Sequence, residues 1–209
     1  MGVTFVLGFI SNKVVAVFLG PSGMALLGNF RNLGAMLKSV ATLGISTSLV
    51  KLVAENKENK TALSELYATF LSVFIIISSF LAIGVFFFAE AIGQLLFHSN
   101  QWTIPIRIVG LSLPLVLLTT FWLAIYNGLE QFKTIVLVQL VSSVLVFIVT
   151  ISLIYCHSID GAIWAIALSE LLMVLATFVF VVKDKRYFQF NFRFLIKKEY
   201  LIAIQKFSA

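Results

Sequence analysis

Charge is scarce in this sequence. Only 11% of its residues are Asp, Glu, Lys or Arg, against 60% hydrophobic residues and a mean hydropathy of +1.05. A soluble domain of this length needs far more charge on its surface, so a water-soluble fold is excluded. Cysteine is nearly absent too: the single Cys156 rules out an intramolecular disulfide, and no cysteine–histidine cluster could hold a metal. Catalytic patterns are missing. There is no Ser-His-Asp set, no paired carboxylates, no phosphate-binding loop and no deaminase motif. The N-terminus lacks the basic region of a signal peptide, and Lys13 interrupts what would be its apolar stretch. Val6 stands where a myristoylation signal needs Ser or Thr.

What the chain does have is long, continuous apolar runs. Lipid is the solvent that matches them, and in lipid the backbone must satisfy its hydrogen bonds internally, as helices or as a closed barrel. The runs are too long and too uniform for the alternating ten-residue strands of a barrel, so the expected class is all-α, a polytopic membrane bundle. Six transmembrane helices are expected, over residues 2–19, 24–53, 63–88, 104–126, 134–155 and 162–182. The first is short for a bilayer crossing, which takes about 20 residues. Gly20-Pro21-Ser22-Gly23 reads as a turn, and Gly34 and Gly44 as flexible points in the long second helix. Residues 55–60, ENKENK, form a solvated loop. Residues 90–103 are amphipathic and end near Trp102, which reads as interfacial. Pro105 falls in the first turn of the fourth helix and Pro114 in its interior, and Asn127-Gly128 opens the next polar loop. Residues 1–183 thus read as one six-helix lobe, and residues 184–209 as a basic connection with Phe188, Phe190, Phe192 and Phe194 alternating against polar residues.

The basic residues are distributed unevenly. Lys51, Lys57 and Lys60 lie in or beside one loop, Lys133 follows another, and Lys183, Lys185, Arg186, Arg193, Lys197 and Lys198 crowd the tail. The opposite connections, residues 20–23, 90–103 and 156–161, hold no Lys or Arg. Under the positive-inside rule the N-terminus, the basic loops and the tail are cytoplasmic. This rule also explains the net charge of +6 without nucleic acid.

Within the first two helices stand Lys13, Arg31 and Lys38. A charge at mid-bilayer costs about 2.5–3.5 kcal/mol on insertion scales, so it is normally buried in protein or water and functional. Arg31 and Lys38 are seven residues apart, two turns on one helix face, with Thr42 and Ser46 continuing the stripe and Asn29 and Asn32 beside its start. Asn12 and Lys13 sit at a comparable depth on the neighbouring helix, so all can face one polar cavity for an anion, with diphosphate as the natural ligand of such groups. The competing assignment is a packing role, in which Lys13 or Arg31 pairs with a membrane acid. Glu170 is the acid in mid-helix, and it serves either as a coupling site for a proton or cation or as the salt-bridge partner of a core cation. Arg107, one turn into the fourth helix, reads as snorkelling to the interface. His98 and His157 lack a third ligand for a metal, and Asn59-Lys60-Thr61 fits a glycosylation sequon only by chance.

The stretch NKVVAVFLGPSGMALLGNFRNL, followed by TLGISTSLVKLVAE, resembles the N-terminal helices of Wzx-type lipid-linked oligosaccharide flippases, the O-antigen and enterobacterial common antigen translocases. YNGLEQFK and IDGAIWAIALSE add weaker matches, in order, over nearly the whole chain. The resemblance implies a transporter of the superfamily that also holds multidrug exporters, built from two six-helix lobes, of which this chain equals one. Such a single lobe is a fragment, a truncated gene product or a half that dimerises, and the abrupt end at residues 205–209 favours a fragment. It implies translocation of undecaprenyl-diphosphate-linked glycan from the cytoplasmic to the periplasmic leaflet of the inner membrane by alternating access, without a cofactor. It places Lys13, Arg31 and Lys38 in the helices that line the cationic cavity. Membrane lipids and the polysaccharide polymerase machinery are the implied partners. Glu170 is not part of that pattern. Two other functions compete: an ion-coupled exporter of drugs or metabolites, which would favour acids over cations in the cavity, and a non-transporting subunit of a polysaccharide-export complex.

Overall fold

The computed structural model of the chain describes residues 2–42 and 44–183, with residues 2–7, 11, 12, 22, 158 and 159 described in backbone only. The basic connection expected over residues 184–209 lies outside the described residues. Five helices follow in order: α1 (Gly2–Thr42), α2 (Ile45–Glu55), α3 (Lys60–Phe97), α4 (Thr103–Gly128) and α5 (Phe132–Lys183). Two of them are broken into limbs. Gly20 leaves helical geometry at φ 65° and ψ −171° just before Pro21, dividing α1 at the expected turn. α5 divides into limbs Phe132–His157 and Asp160–Lys183. The chain reverses so tightly between them that a Cβ on Gly161 would collide with the Leu153 carbonyl, a separation of eight residues that a straight helix would hold far apart.

Four segments are long and apolar enough to cross a bilayer, namely Lys60–Phe97, Thr103–Gly128 and the two limbs of α5. Gly23–Thr42 and Ile45–Glu55, bent by 50°, together make a fifth. The remaining apolar stretch, Gly8–Pro21, is shorter, so the described helices supply up to five spans by length against the six expected. The bend lies at Gly44, which takes the left-handed conformation at φ 73° that favours glycine, whereas Gly34 stays helical.

The chain is a multi-pass membrane protein, and its surface is built for lipid. Ile76, Phe80, Ile83 and Phe87 recur every three or four residues on α3 and are all exposed, Phe80 and Phe87 at three-quarters or more of their area. Several serine and threonine hydroxyls inside the spans are satisfied within their own helices. Ser72 donates to the Ala68 carbonyl at 2.8 Å, Ser142 to Val138 at 2.7 Å and Thr177 to Met173 at 2.9 Å.

Two apolar clusters hold the bundle. One joins α2, the start of α3 and the end of α4 around Leu49, Val53, Tyr67, Phe70, Phe121 and Ile125. The other joins α1, the end of α3, the start of α4 and α5 around Val15, Phe30, Ala89, Ile106 and Ile163. Loops gather at the two ends accordingly. At one end Lys57 pairs with Glu130 at 2.7 Å, joining the two connections that carry basic residues. At the other, Gly23, Ser99, Gln101 and Asp160 line one shallow pocket, so the three connections without Lys or Arg meet there.

Several boundaries differ from expectation. α3 runs on to Phe97, so residues 90–97 extend that helix instead of lying along the interface. Trp102 is buried: its ring packs edge-on against Phe30 at 6.2 Å, and Phe30 in turn stacks on Phe97 at 4.3 Å. α4 continues through Asn127 and Gly128, and the polar turn falls later, with Glu130 at φ 58°. Asn59 has a structural use: its side chain caps α3 by accepting from the Ala62 N–H at 3.1 Å.

Candidate functional site: a mid-bundle cavity

A cavity of about 310 Å³ opens between both limbs of α1, α4 and both limbs of α5. Its polar lining is Arg31 and Lys38 from α1, Thr150 from the first limb of α5, and Ser169 and Glu170 from the second. The seven-residue spacing on α1 sets both cations on the same side, separated by about 10 Å along the axis. Small residues leave the room for them: Gly34 and Ala35 lie between the cations, facing Ala162 and Ala165 across the space. Val15, Leu27 and Phe30 close one wall with apolar surface. Lys38 and Glu170 are half-buried and Arg31 is exposed. The ionisable lining is two cations and one acid, a formal charge of +1. The Ser169 hydroxyl donates to the Ile166 carbonyl at 2.7 Å and keeps its oxygen as an acceptor.

The other residues singled out from the sequence lie elsewhere. Lys13 is exposed and does not line this cavity, whereas Val15 does. Two residues along a helix is a rotation of about 200°, so Lys13 points away from the wall that Val15 forms. Asn29 and Asn32 are exposed and outside the lining. The side chain of Asn12 is outside the described residues. Thr42 turns back to the Ser39 carbonyl at 3.1 Å, and Ser46, beyond the Gly44 bend, lines a different pocket. Arg107 has partners of its own, with Glu90 at 3.2 Å and the Phe86 ring 5.2 Å beneath its guanidinium. These contacts link α4 to α3. Thr150 and Ser169 were missed by sequence reasoning. The available signal was a hydroxyl on an otherwise apolar helix and a serine beside the mid-helix acid.

A volume near the lower end of the range for small-molecule pockets, about 300–1,000 Å³, suits a headgroup, not a whole lipid or polymer. Cations beside hydroxyls, with apolar walls around them, are groups able to form charge-assisted hydrogen bonds to an anion. Among the described residues no group of three His, Cys, Asp or Glu could hold a metal ion.

The family model described as "Polysaccharide biosynthesis protein" matches residues 1–209, the whole sequence. The chain belongs to the polysaccharide biosynthesis protein family. Within reach of this family member are the lipid III flippases of Escherichia coli (strain K12) and Shigella flexneri. Each is 27% identical over 179 residues, covering 84% of this chain and 42% of the flippase. Two solved structures share its fold. One is an outward-facing multidrug resistance MATE family transporter of the MOP superfamily, at a TM-score of 0.76 and 16% identity, covering 98% of this chain and 48% of that one. The other is a MOP superfamily transporter from Pyrococcus furiosus described as having a binding pocket of reversed polarity, at a TM-score of 0.78 and 15% identity, covering 99% and 48%. This polysaccharide biosynthesis family member therefore has the fold of MOP transporters and spans about half the length of the relatives it matches. Those relatives are flippases and transporters, not enzymes, which agrees with the missing catalytic motifs.

Proposed function

We propose that this chain is one lobe of a flippase that moves undecaprenyl-diphosphate-linked oligosaccharide from the cytoplasmic to the periplasmic leaflet, with Arg31 and Lys38 holding the diphosphate. The carrying observation is the convergence of these two cations on one cavity in a chain similar to lipid III flippases. Diphosphate suits the pair because the guanidinium offers a planar fork of donors and the ammonium a compact charge. Lys13, Asn29 and Asn32, exposed and outside the cavity lining, would add polar contacts to the glycan from other faces, and the basic residues 184–209 would form the connection toward a second lobe. The charge distribution supports an orientation with the N-terminus and the end held by Lys57 and Glu130 in the cytoplasm.

The test uses the full-length protein reconstituted in vesicles with a fluorescent undecaprenyl-diphosphate-linked oligosaccharide. Movement of label to the opposite leaflet, dependent on the protein, is the expected result. No movement of that lipid, with export of cationic drugs instead, would overturn it.

Glu170 shares the cavity with both cations, and its carboxylate lowers the local positive charge. As a coupling site it would exchange a proton or cation with the anion's arrival. Glu170→Gln is then expected to flatten the dependence of transport on pH or sodium while the protein stays in the membrane. An unchanged ion dependence would leave Glu170 as a packing partner of the cations.

A further inference from the structure

A second pocket, of about 380 Å³, lies between α2, α4 and the first limb of α5. Its polar lining is Ser46, Thr47, Thr120, Asn127 and Gln139, and none of its lining residues is charged. It sits at the end of the bundle where Lys57 meets Glu130, since the Asn127 carbonyl accepts from the Glu130 N–H at 2.9 Å.

This pocket lies on the same helix faces as the mid-bundle cavity. On α5, Gln139 lines the one and Thr150 the other, eleven residues apart and so nearly superposed around the axis. On α4, Thr120 and Val109 have the same eleven-residue relation. The two pockets therefore share the same faces of α4 and α5 as walls, about 16 Å apart along those helices at 1.5 Å per residue. One carries charge and the other does not.

The chemistry of the uncharged one is specific. Carboxamides donate and accept at once, and hydroxyls do the same. The Thr120 proton goes to the Val116 carbonyl at 3.0 Å, which leaves that oxygen as an acceptor toward the pocket. Thr47, Asn127 and Gln139 are exposed. Exposed amides against hydrocarbon are costly, so such a cluster in a membrane bundle faces water or a polar ligand. With no fixed charge it has no preference for anions or cations. A ligand rich in neutral donors and acceptors, with an anionic group some 16 Å away along the helices, matches the chemistry of the two pockets together.

We propose that this pocket binds the hydroxyls and N-acetyl amides of the glycan itself, at sugars beyond the one attached to the diphosphate. The proposal rests on the flippase reading of the mid-bundle cavity and adds to it a site that measures glycan length.

The experiment places the full-length protein in lipid nanodiscs and measures binding of three probes: undecaprenyl diphosphate, the same lipid bearing one N-acetylhexosamine, and the same lipid bearing a trisaccharide. The wild type is expected to gain affinity on going to the trisaccharide. In Asn127→Leu/Gln139→Leu that gain falls by about tenfold or more, two lost hydrogen bonds, while bare undecaprenyl diphosphate binds within about twofold of wild type. Thr47→Val/Gln139→Met leaves Asn127 at the end of α4 in place and gives the same selective loss should the first pair fold poorly. Equal loss for all three probes, or unchanged trisaccharide binding, overturns the proposal and leaves the flippase reading standing. If the wild type binds none of the probes, the flippase reading itself fails.

Discussion

Lys38→Ala in the full-length protein is expected to abolish surface polysaccharide while the amount of protein in the membrane stays at the wild-type level. The physical basis is the charge balance of the mid-bundle cavity. Arg31 and Lys38 against Glu170 leave a formal charge of +1, and removing the ammonium brings it to zero. An anion entering then meets the carboxylate as strongly as it meets the guanidinium. A hydrogen bond to a charged group contributes about 1.5–3 kcal/mol, so its loss weakens binding by roughly ten- to a hundredfold. Stability should hardly change, because Lys38 lines open space between small residues and its removal leaves no new void in a packed layer. Lys38→Arg keeps the charge and should retain most of the function, whereas Lys38→Met keeps the length and should not. Arg31→Ala is expected to fail in the same way, with Arg31→Lys only partly active because a point charge cannot reproduce the fork. Normal polysaccharide in both alanine variants, with the protein present in the membrane, would remove these residues from the mechanism.

The helical class was open to reading because lipid leaves the backbone few choices, and the long apolar runs leave none but helices. Gly44 could be singled out as a bend for the same reason that it bends: a glycine in a long span takes φ 73° without a Cβ penalty. The common face of Arg31 and Lys38 followed from a seven-residue spacing within one unbroken limb. Lys13 illustrates where such reasoning stops. Its azimuth relative to Arg31 is set by the dihedrals of Gly20, and no hydrophobic pattern encodes those, so depth could be judged and direction could not.

Trp102 shows a different limit. An indole near a loop reads as an interfacial anchor, and its packing on Phe30, 72 residues earlier by sequence number, has no local signal. The uncharged pocket was only half visible. Ser46 stood out as part of a stripe, whereas Asn127 read as a turn residue, and Thr120 and Gln139 looked like incidental polar positions. Only packing of α2, α4 and α5 brings them together.

Gly128 carries the second large effect, and it corrects a common inference about glycine. Next to Asn127 it reads as the start of a turn, yet it has no positive φ and ends α4 in helical geometry. Its role is close approach. A Cβ there would lie 2.7 Å from the Val53 Cβ and 2.8 Å from the Val50 carbonyl oxygen. Neither can yield easily, since Val53 is fully buried in the cluster that holds α2, and the Val50 carbonyl is helix backbone. Small residues at such crossings let membrane helices approach to backbone contact, where packing replaces the missing hydrophobic drive. Gly128→Ala must therefore push α2 away from α4, at a cost of about 1–3 kcal/mol. Gly128→Val adds two methyls to the same collision and should leave no folded protein after detergent extraction. Gly84→Ala is the control, because nothing lies within 4 Å of its Cβ position, and there the better helix former should be neutral or stabilising by up to about 1 kcal/mol. Thermal unfolding of the purified variants reads the difference. A Gly128→Val protein that unfolds at the wild-type temperature would mean that α2 is free to move away from α4, and the uncharged pocket between them would lose its fixed walls.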